Sequence, residues 1–508
     1  MKKTRPNILL IMTDQQRSDS LGCYGNRGLS TPHLDRLAAD GALFENCYVN
    51  NPICTPSRAS IMTGKQLPGH GVYRLYDVLP EDEVLFPEHL RRAGYRTALF
   101  GKLHVSGRVA EAGGRHPNDG FETYEWCMEP SIELDSPFNG YSRWLKETNP
   151  ECYDKLRRLG RGFKNVPRDC HMTHWAAERT IDFIRSSSDA PFFCMMSVFD
   201  PHNPYDDFPE ELRETVDTSR LPAILPQDED RGGIPSEIER ERRHSYLGDA
   251  AEITAQASEE MRRGYYASIA LIDLEVGRVL EALEASGKSD NTMVIFVSDH
   301  GDMLGDHGLF VKGAYFYEAC TKVPLIMRWP KGLPGIRRQH LSALVQPHDL
   351  AATILRAAGI GDELISTEMP ESRDLTELVR GESKMAHPYV VCAYRNSGIA
   401  DSGDYWDPPI HATMIRTESH KLSYFHRNGD GRESSDETPP GQLFDMNTDP
   451  HERQNLWNDP DAEAERLRHL SLLLDWEVTQ ERQYGARGGD ARPSAEQRLD
   501  NRQNRRQQ

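Results

Sequence analysis

Three short stretches carry residues that could do chemistry together. Asp14 and Gln15 follow the apolar run Pro6 to Thr13, and Asp299 and His300 follow a second such run, Thr292 to Ser298. Unbroken apolar runs of this length read as parallel strands buried on both faces, and ligand sites of open α/β sheets lie at the carboxyl ends of such strands. Two carboxylates, one amide oxygen and one imidazole nitrogen suit a divalent cation. Oxygen-rich ligation favours Ca2+, Mg2+ or Mn2+, and the imidazole makes Mn2+ fit better than it would an all-oxygen site. The third stretch is Asn51 to Gly64, in which Pro52 and Pro56 bracket Cys54. Proline is tolerated in the first turn of a helix, so a helix is expected to start beside Cys54, run through Met62 and stop at Gly64. A side chain at that start faces free backbone N–H groups and the positive end of the helix dipole, a setting for an anion or a nucleophile, and Arg58 shares its face.

Further polar residues stand at the ends of predicted strands. Gly101-Lys102-Leu103-His104 follows a strand over Arg96 to Phe100, and alternation puts Lys102 and His104 on one face. Asp200-Pro201-His202-Asn203-Pro204 follows a strand over Phe192 to Phe199. After Asp299-His300-Gly301-Asp302 come Gly305-Asp306-His307-Gly308-Leu309 and Lys312. Taken singly, a lysine or histidine at a strand end is more often solvated than catalytic, and His307 suits a turn as well as a pocket.

The elements that would position these groups alternate between strand and helix. Thr31 and Pro32 mark an N-cap and first turn closed by Gly41, and Glu88 to Ala93 reads as a helix ended by Gly94. Ile269, Ile272, Val276, Val279, Leu280 and Leu283 follow helical spacing within a helix over Ser258 to Ser286, and Val323 to Met327 is a further strand. From about Met385 the texture changes to shorter strands, Tyr389 to Ala393, Thr413 to Arg416, Lys421 to Phe425 and Gly441 to Asp445, with a final amphipathic helix over Ala462 to Glu477. The expected fold is α/β, a large mixed, mostly parallel sheet flanked by helices, plus a smaller C-terminal α+β domain with an antiparallel sheet. The expected boundaries are residues 1–384, 385–485 and a polar, disordered tail over 486–508. Glu111 to Cys170 lacks sustained periodicity and reads as long loops lining the substrate pocket. Asp206 to Ala257 reads as a charged insertion, either a solvated flap or a contact between copies in a homo-oligomer.

Composition narrows the function classes. A chain of 508 residues exceeds one typical domain, and its formal charge of −19 argues against nucleic acid or an anionic membrane as partner, so an anionic substrate must meet a local basic pocket. No apolar run approaches the roughly 20 residues that span a bilayer, and Ile8 to Met12 is too short for the core of a signal peptide. Nine cysteines without regular spacing do not read as a disulfide framework. A cytoplasmic location is expected.

Cys54-x-Pro56-Ser57-Arg58 with Ala59-Ser60-x-x-Thr63-Gly64 resembles the signature of the type I sulfatases of the alkaline phosphatase superfamily, and the resemblance extends from Pro6 to about Leu456. It implies that Cys54 is oxidised to Cα-formylglycine by a maturation enzyme, and that the hydrated aldehyde attacks the sulfur of a sulfate ester and later expels sulfate. It also implies roles. Asp14, Gln15, Asp299, His300 and the modified Cys54 would bind one divalent cation, Ca2+ by family preference, with Mn2+ or Mg2+ as alternatives. Arg58 would hold the formylglycine oxygen, and Lys102 and Lys312 the sulfuryl oxygens. His104 would be the base for sulfate release, and His202 the acid for the leaving oxygen. Two departures stand out: many sulfatases have Asp where Gln15 stands, and Thr321-Lys322 replaces an expected arginine. The substrate implied is a small-molecule or oligosaccharide sulfate ester, preferably a sulfated carbohydrate on which Trp126, Tyr141 and Trp144 could stack; choline sulfate is the competitor. A phosphonate monoester or phosphodiester hydrolase is the nearest alternative, because it shares the Asp-Gln and Asp-His pattern but carries hydroxyl residues where Lys102 and His104 stand. A binding protein that never matures Cys54 is a second.

Overall fold

The computed structural model describes residues 5–484 except 187, 189, 228, 229, 246, 332, 334, 337, 338, 398–405, 407, 408 and 427–439; the tail expected over 486–508 lies outside the described residues. Twelve strands form two sheets. β1 (Asn7–Thr13), β2 (Ala42–Tyr48), β3 (Arg96–Gly101), β4 (Thr123–Trp126), β5 (Phe192–Ser197), β6 (Thr292–Ser298), β7 (Lys322–Arg328) and β8 (Gln339–Val345) make one sheet in the order β4-β3-β5-β1-β6-β7-β2-β8. Within it β7 alone runs antiparallel to its neighbours β6 and β2. β9 (Tyr389–Arg395), β10 (His411–Thr417), β11 (His420–His426) and β12 (Gly441–Asp445) form an antiparallel sheet in the order β12-β11-β10-β9. The expected fold class is the one observed.

Central β1 shows why the run reads as it does. Ile8, Leu10 and Met12 enter the core on one face of the large sheet, while Leu9 and Ile11 enter the core on the other. With helices on both faces, the interior positions Ile8 to Met12 are all apolar, and Asp14 and Gln15 follow at the carboxyl edge just past Thr13. β1 lies between β5 and β6 in parallel, pairing Met12 with Ser197 and Thr13 with Ser298. The residues that follow these strands therefore emerge side by side.

The smaller sheet packs on two sides. Val390, Cys392 and Tyr394 of β9 belong to the same core as β1 and β2, whereas Val391, Ile415, Leu422 and Leu443 pack on the Glu463–Tyr484 helix through Leu473 and Trp476.

Two loop assignments are corrected. Residues 111–170 contain β4 and the helices Gly140–Thr148 and Pro150–Leu159. Trp126 and Tyr141 are core residues: the Trp126 indole donates to Glu111 at 2.8 Å and the Tyr141 hydroxyl to the Cys170 carbonyl at 2.8 Å. Neither ring is free to stack on a sugar. The segment 206–257 is not a solvated flap: Phe208, Leu212, Val216 and Ile238 are buried, and Arg231 bridges to Gln454 near the smaller sheet. Its charge is a poor guide to exposure, because apolar anchors hold the segment down and even Glu241 and Arg242 are buried. The expected Thr31 cap is also absent; its hydroxyl accepts from the Gly22 amide and donates to Asp35.

Candidate active site

The helix Cys54–Thr63 begins at the expected residue, is buried along its whole length, and ends at Gly64 with φ +68°, the left-handed conformation that a terminating glycine supplies without strain. Ser57 of its first turn donates to the Asp299 carbonyl at 2.6 Å, which seats the helix start on the end of β6. Arg58, one turn on and fully buried, binds the two strand ends together. Its Nε lies 2.5 Å from Asp299 Oδ2 and one terminal nitrogen 3.2 Å from Asp14 Oδ2, while the other donates to the Lys102 carbonyl and the Ser197 hydroxyl, each at 2.9 Å.

This arrangement leaves specific atoms for a cation. Asp14 Oδ2 accepts from Lys102 Nζ at 2.6 Å as well as from Arg58, but Asp14 Oδ1 is buried without a hydrogen-bond partner. His300 Nδ1 faces the Gly301 carbonyl at 2.9 Å, so the ring carries its proton there and Nε2 is a bare acceptor. That Nε2 is also buried and without a partner, 3.6 Å from Asp14 Oδ1 and 3.8 Å from Asp299 Oδ1. Acceptors facing acceptors repel unless something positive sits between them. Among the described residues, ligand atoms of Asp14, Asp299 and His300 lie within 4.8 Å of one another, so the donor set fits a cation. Burial opposes the ionised Asp14 carboxyl, but the charges of Lys102 and Arg58 hold it well below the usual carboxylate range. Burial pushes His300 down to about 4, which keeps it neutral as a ligand must be.

Another group meets the same distance test and fails on its protons. His348, Asp349 and His387 also lie close, yet Gln346 Nε2 donates to the Tyr48 and Val391 carbonyls, which fixes its Oε1 as the acceptor for Gln66 Nε2. Gln66 Oε1 in turn accepts from Asn50 Nδ2, which also faces His348 Nδ1 at 3.1 Å. The neutral His348 ring therefore carries its proton on Nε2, the atom a metal would need.

Around Cys54 the other predicted residues converge. Lys312 Nζ lies 3.9 Å from Cys54 Sγ, 2.9 Å from Gln15 Oε1 and 2.7 Å from His202 Nε2. Burial pushes the Cys54 thiol up, against the pull of Lys102 and Lys312. His202 Nδ1 faces the Asn203 carbonyl at 2.6 Å, so Nε2 accepts from Lys312; burial, then Lys312, hold the ring well below its ordinary range and it is neutral. Thr55, next to Cys54, donates to the Leu75 carbonyl and so must accept from His104 Nε2 at 2.8 Å. His104 Nδ1 is then an unprotonated, unpartnered buried acceptor, and burial, followed by Lys102, keeps the ring neutral.

Lys102 and His104 do not reach the site by strand alternation. His104 has φ +56°, and Gln15 and Val311 also adopt the left-handed region at +67° and +55°. Such conformations cost on the order of 1–3 kcal/mol each in non-glycine residues and concentrate where side chains must be aimed. Glu111 holds the turn at His104 by accepting from the amides of His104, Val105 and Ser106.

The sequence motifs did not single out the second layer. Asp302 accepts from Gln15 Nε2 at 2.7 Å and from the Tyr205 hydroxyl at 2.6 Å, which fixes the Gln15 amide so that Oε1 faces Lys312. Phe199 lies under Lys102, with 5.4 Å from Nζ to the ring centre, and 4.4 Å from the His202 ring.

A family model described as sulfatase matches residues 6–360, and one described as N-sulphoglucosamine sulphohydrolase, C-terminal, matches residues 305–475. An arylsulfatase of Clostridium perfringens is 30% identical over 92% of this chain and 94% of its own. An N-acetylglucosamine-6-O-sulfatase of Bacteroides thetaiotaomicron is 26% identical over 93% and 86% respectively. The solved structure of a phosphonate monoester hydrolase of Agrobacterium radiobacter superposes with a TM-score of 0.76 at 24% identity, covering 94% of this chain and 96% of that one; it shares the fold. The strand ends and the Cys54 helix all fall inside the longer match, and on that match the protein belongs to the sulfatase family of sulfuric ester hydrolases.

Proposed function

We propose that the protein hydrolyses a sulfate ester on a carbohydrate, through a formylglycine made from Cys54 beside a divalent cation bound by Asp14, Gln15, Asp299 and His300. The observation that carries this reading is the coincidence of three features: Cys54 at a helix start, Lys312 Nζ 3.9 Å from its sulfur, and the orphaned acceptors Asp14 Oδ1 and His300 Nε2 3.6 Å apart. Matured Cys54 would supply a nucleophilic oxygen that is regenerated in each turnover. The cation, read as Ca2+ with Mn2+ or Mg2+ as alternatives, would offset negative charge on the transferring group. Gln15 Oε1 has a second lone pair for it beyond the one facing Lys312.

The chain's own residues would do the rest. Lys102 and Lys312 hold the sulfuryl oxygens, since both ammonium groups are buried and charges exert most force where water is excluded. His104 accepts a proton at Nδ1. His202 passes one to the leaving oxygen from Nε2, after receiving it from Lys312. Arg58, engaged with Asp14, Asp299, Ser197 and the Lys102 carbonyl, acts here by fixing the carboxylates rather than by gripping the Cys54 side chain.

The carbohydrate reading is supported by the likeness to an N-acetylglucosamine-6-O-sulfatase along most of both chains. The Asp14-Gln15 pair and the shared fold favour a second reading, phosphonate monoester hydrolysis. The test is turnover of sulfated mono- and oligosaccharides, choline sulfate and aryl sulfates under identical conditions. A sulfated sugar is expected to give the highest kcat/KM; choline sulfate turned over orders of magnitude faster than every sugar would overturn the proposal.

A further inference from the structure

The segment 206–257, which no motif covers, carries a short helix, Ser236–Arg243, that braces the loop bearing Lys312. Glu241 of this helix is 4% exposed. Its Oε1 accepts from the Ala314 amide at 3.0 Å, two residues past Lys312, and from the Trp406 indole at 3.1 Å; the Tyr394 hydroxyl of β9 bonds it as well. Gly313 lies against the same carboxylate so closely that a Cβ there would come within 2.5 Å of Glu241 Oε2. Next along the helix, Arg242 donates to the His307 carbonyl at 3.0 Å, and Asp230 pairs with His307 Nδ1 at 2.8 Å. One side chain thus joins the insertion, the Lys312 loop, the smaller sheet and Trp406.

A buried carboxylate is a costly way to fill space, because an apolar side chain would pack there without desolvating a charge. Three converging donors give a reason to keep it. We infer that Glu241 is a positioning residue for Lys312: its carboxylate, by accepting from Ala314, Trp406 and Tyr394 together, sets the Lys312 ammonium in reach of Cys54, Gln15 and His202. This rests on the role given to Lys312 above.

Protonation would weaken the brace, since a neutral carboxyl is a poorer acceptor than a carboxylate for the Ala314 amide and the Trp406 indole, which can only donate. Burial pushes the Glu241 carboxyl up to about 7, against the hydrogen bonds from Ala314, Trp406 and Tyr394 and the charge of Arg240. The other titratable groups facing this point are Tyr315 on the Lys312 loop and, beyond Trp406, His244. Activity should therefore fall as acidification takes Glu241 from carboxylate to acid.

The test is Glu241→Gln in the full-length matured enzyme, read by kinetics against pH and by amide hydrogen exchange of the peptide spanning 310–316. The expected result is a drop in kcat of about ten- to a hundredfold with a smaller change in KM, because a modest misplacement of a catalytic group costs rates of that order. The limb of the wild-type pH profile near about 7 should be missing from the variant. Exchange at Ala314 should quicken, and that readout needs no substrate, so it stands or falls separately from the sulfatase reading. Should Glu241→Gln fail to fold, Gly313→Ala pushes on the same carboxylate and is expected to lower kcat in the same way. Wild-type kcat, an unchanged pH limb and unchanged exchange at Ala314 would overturn the inference.

Discussion

Lys312 Nζ and His202 Nε2 lie 2.7 Å apart, and the imidazole keeps its own proton on the far nitrogen, against the Asn203 carbonyl. His202 can thus give a proton to a leaving oxygen only after taking one from its neighbour. Lys312→Met and His202→Ala should therefore slow esters of weakly acidic alcohols far more than esters of acidic phenols. General acid catalysis is typically worth about 10²–10⁴-fold, so a steepened dependence of rate on leaving-group pKa checks it. Equal losses on both ester types would show that the pair does not supply the proton.

Arg58 is the sole described guanidinium bonded to both strand-end carboxylates. Arg58→Ala leaves Asp14 and Asp299 buried without it, and breaking such a pair typically costs about 3–5 kcal/mol. Denaturant unfolding is expected to show a loss of that size. An Arg58→Ala protein as stable as wild type would mean that the carboxylates are held by other means.

Removal of the cation should abolish activity while far-UV dichroism stays near that of the loaded protein, because the acceptors it would bind lie at strand ends and not within the sheets. Asp14→Asn should lower metal content measured by elemental analysis. Readdition of Ca2+, Mn2+ and Mg2+ in turn identifies the ion. Full activity after exhaustive chelation would rule the site out.

Stability should fall on acidification through a window set by buried histidines away from the active site. Burial lowers His348 from 6.5 to about 4. Between those values the unfolded chain binds a proton that the folded one refuses, so stability is full above about 6.5 and declines toward about 4. For one fully buried imidazole the decline is on the order of 3 kcal/mol. Thermal midpoints measured across this range check it, and a His348→Gln variant should show a shallower slope.

How much of this was legible in the sequence differs by element. β1, β3, β5 and β6 were readable because burial on both faces leaves an unbroken apolar run that polar residues terminate. β2 and β8 were not: β2 carries Glu45 and Asn46 at a register shift, and β8, at the sheet's edge, is half exposed. Cys54, Asp14, Asp299 and His300 announced themselves through motif and strand end. Asp302, Thr55 and Glu111 did not, since their roles lie in hydrogen bonds to residues brought near by the fold. Trp126 and Tyr141 misled because an aromatic in an aperiodic stretch looks like a binding residue until its burial is known.

Cys54 is the proposed source of the nucleophile. In active protein the peptide containing position 54 should be lighter than the encoded one, because the sulfur and two hydrogens are lost and one oxygen is gained. Cys54→Ala should keep the fold while losing activity. An unmodified cysteine at full activity would refute the nucleophile.

The most direct measurement of the central claim is kcat/KM of the matured, metal-loaded enzyme for an aryl sulfate and for an aryl phosphonate monoester with the same leaving group, alongside Cys54→Ala. The sulfate is expected to be the better substrate, and the variant is expected to hydrolyse neither at a significant rate. A clear preference for the phosphonate, or near-wild-type sulfate turnover by Cys54→Ala, would contradict the claim.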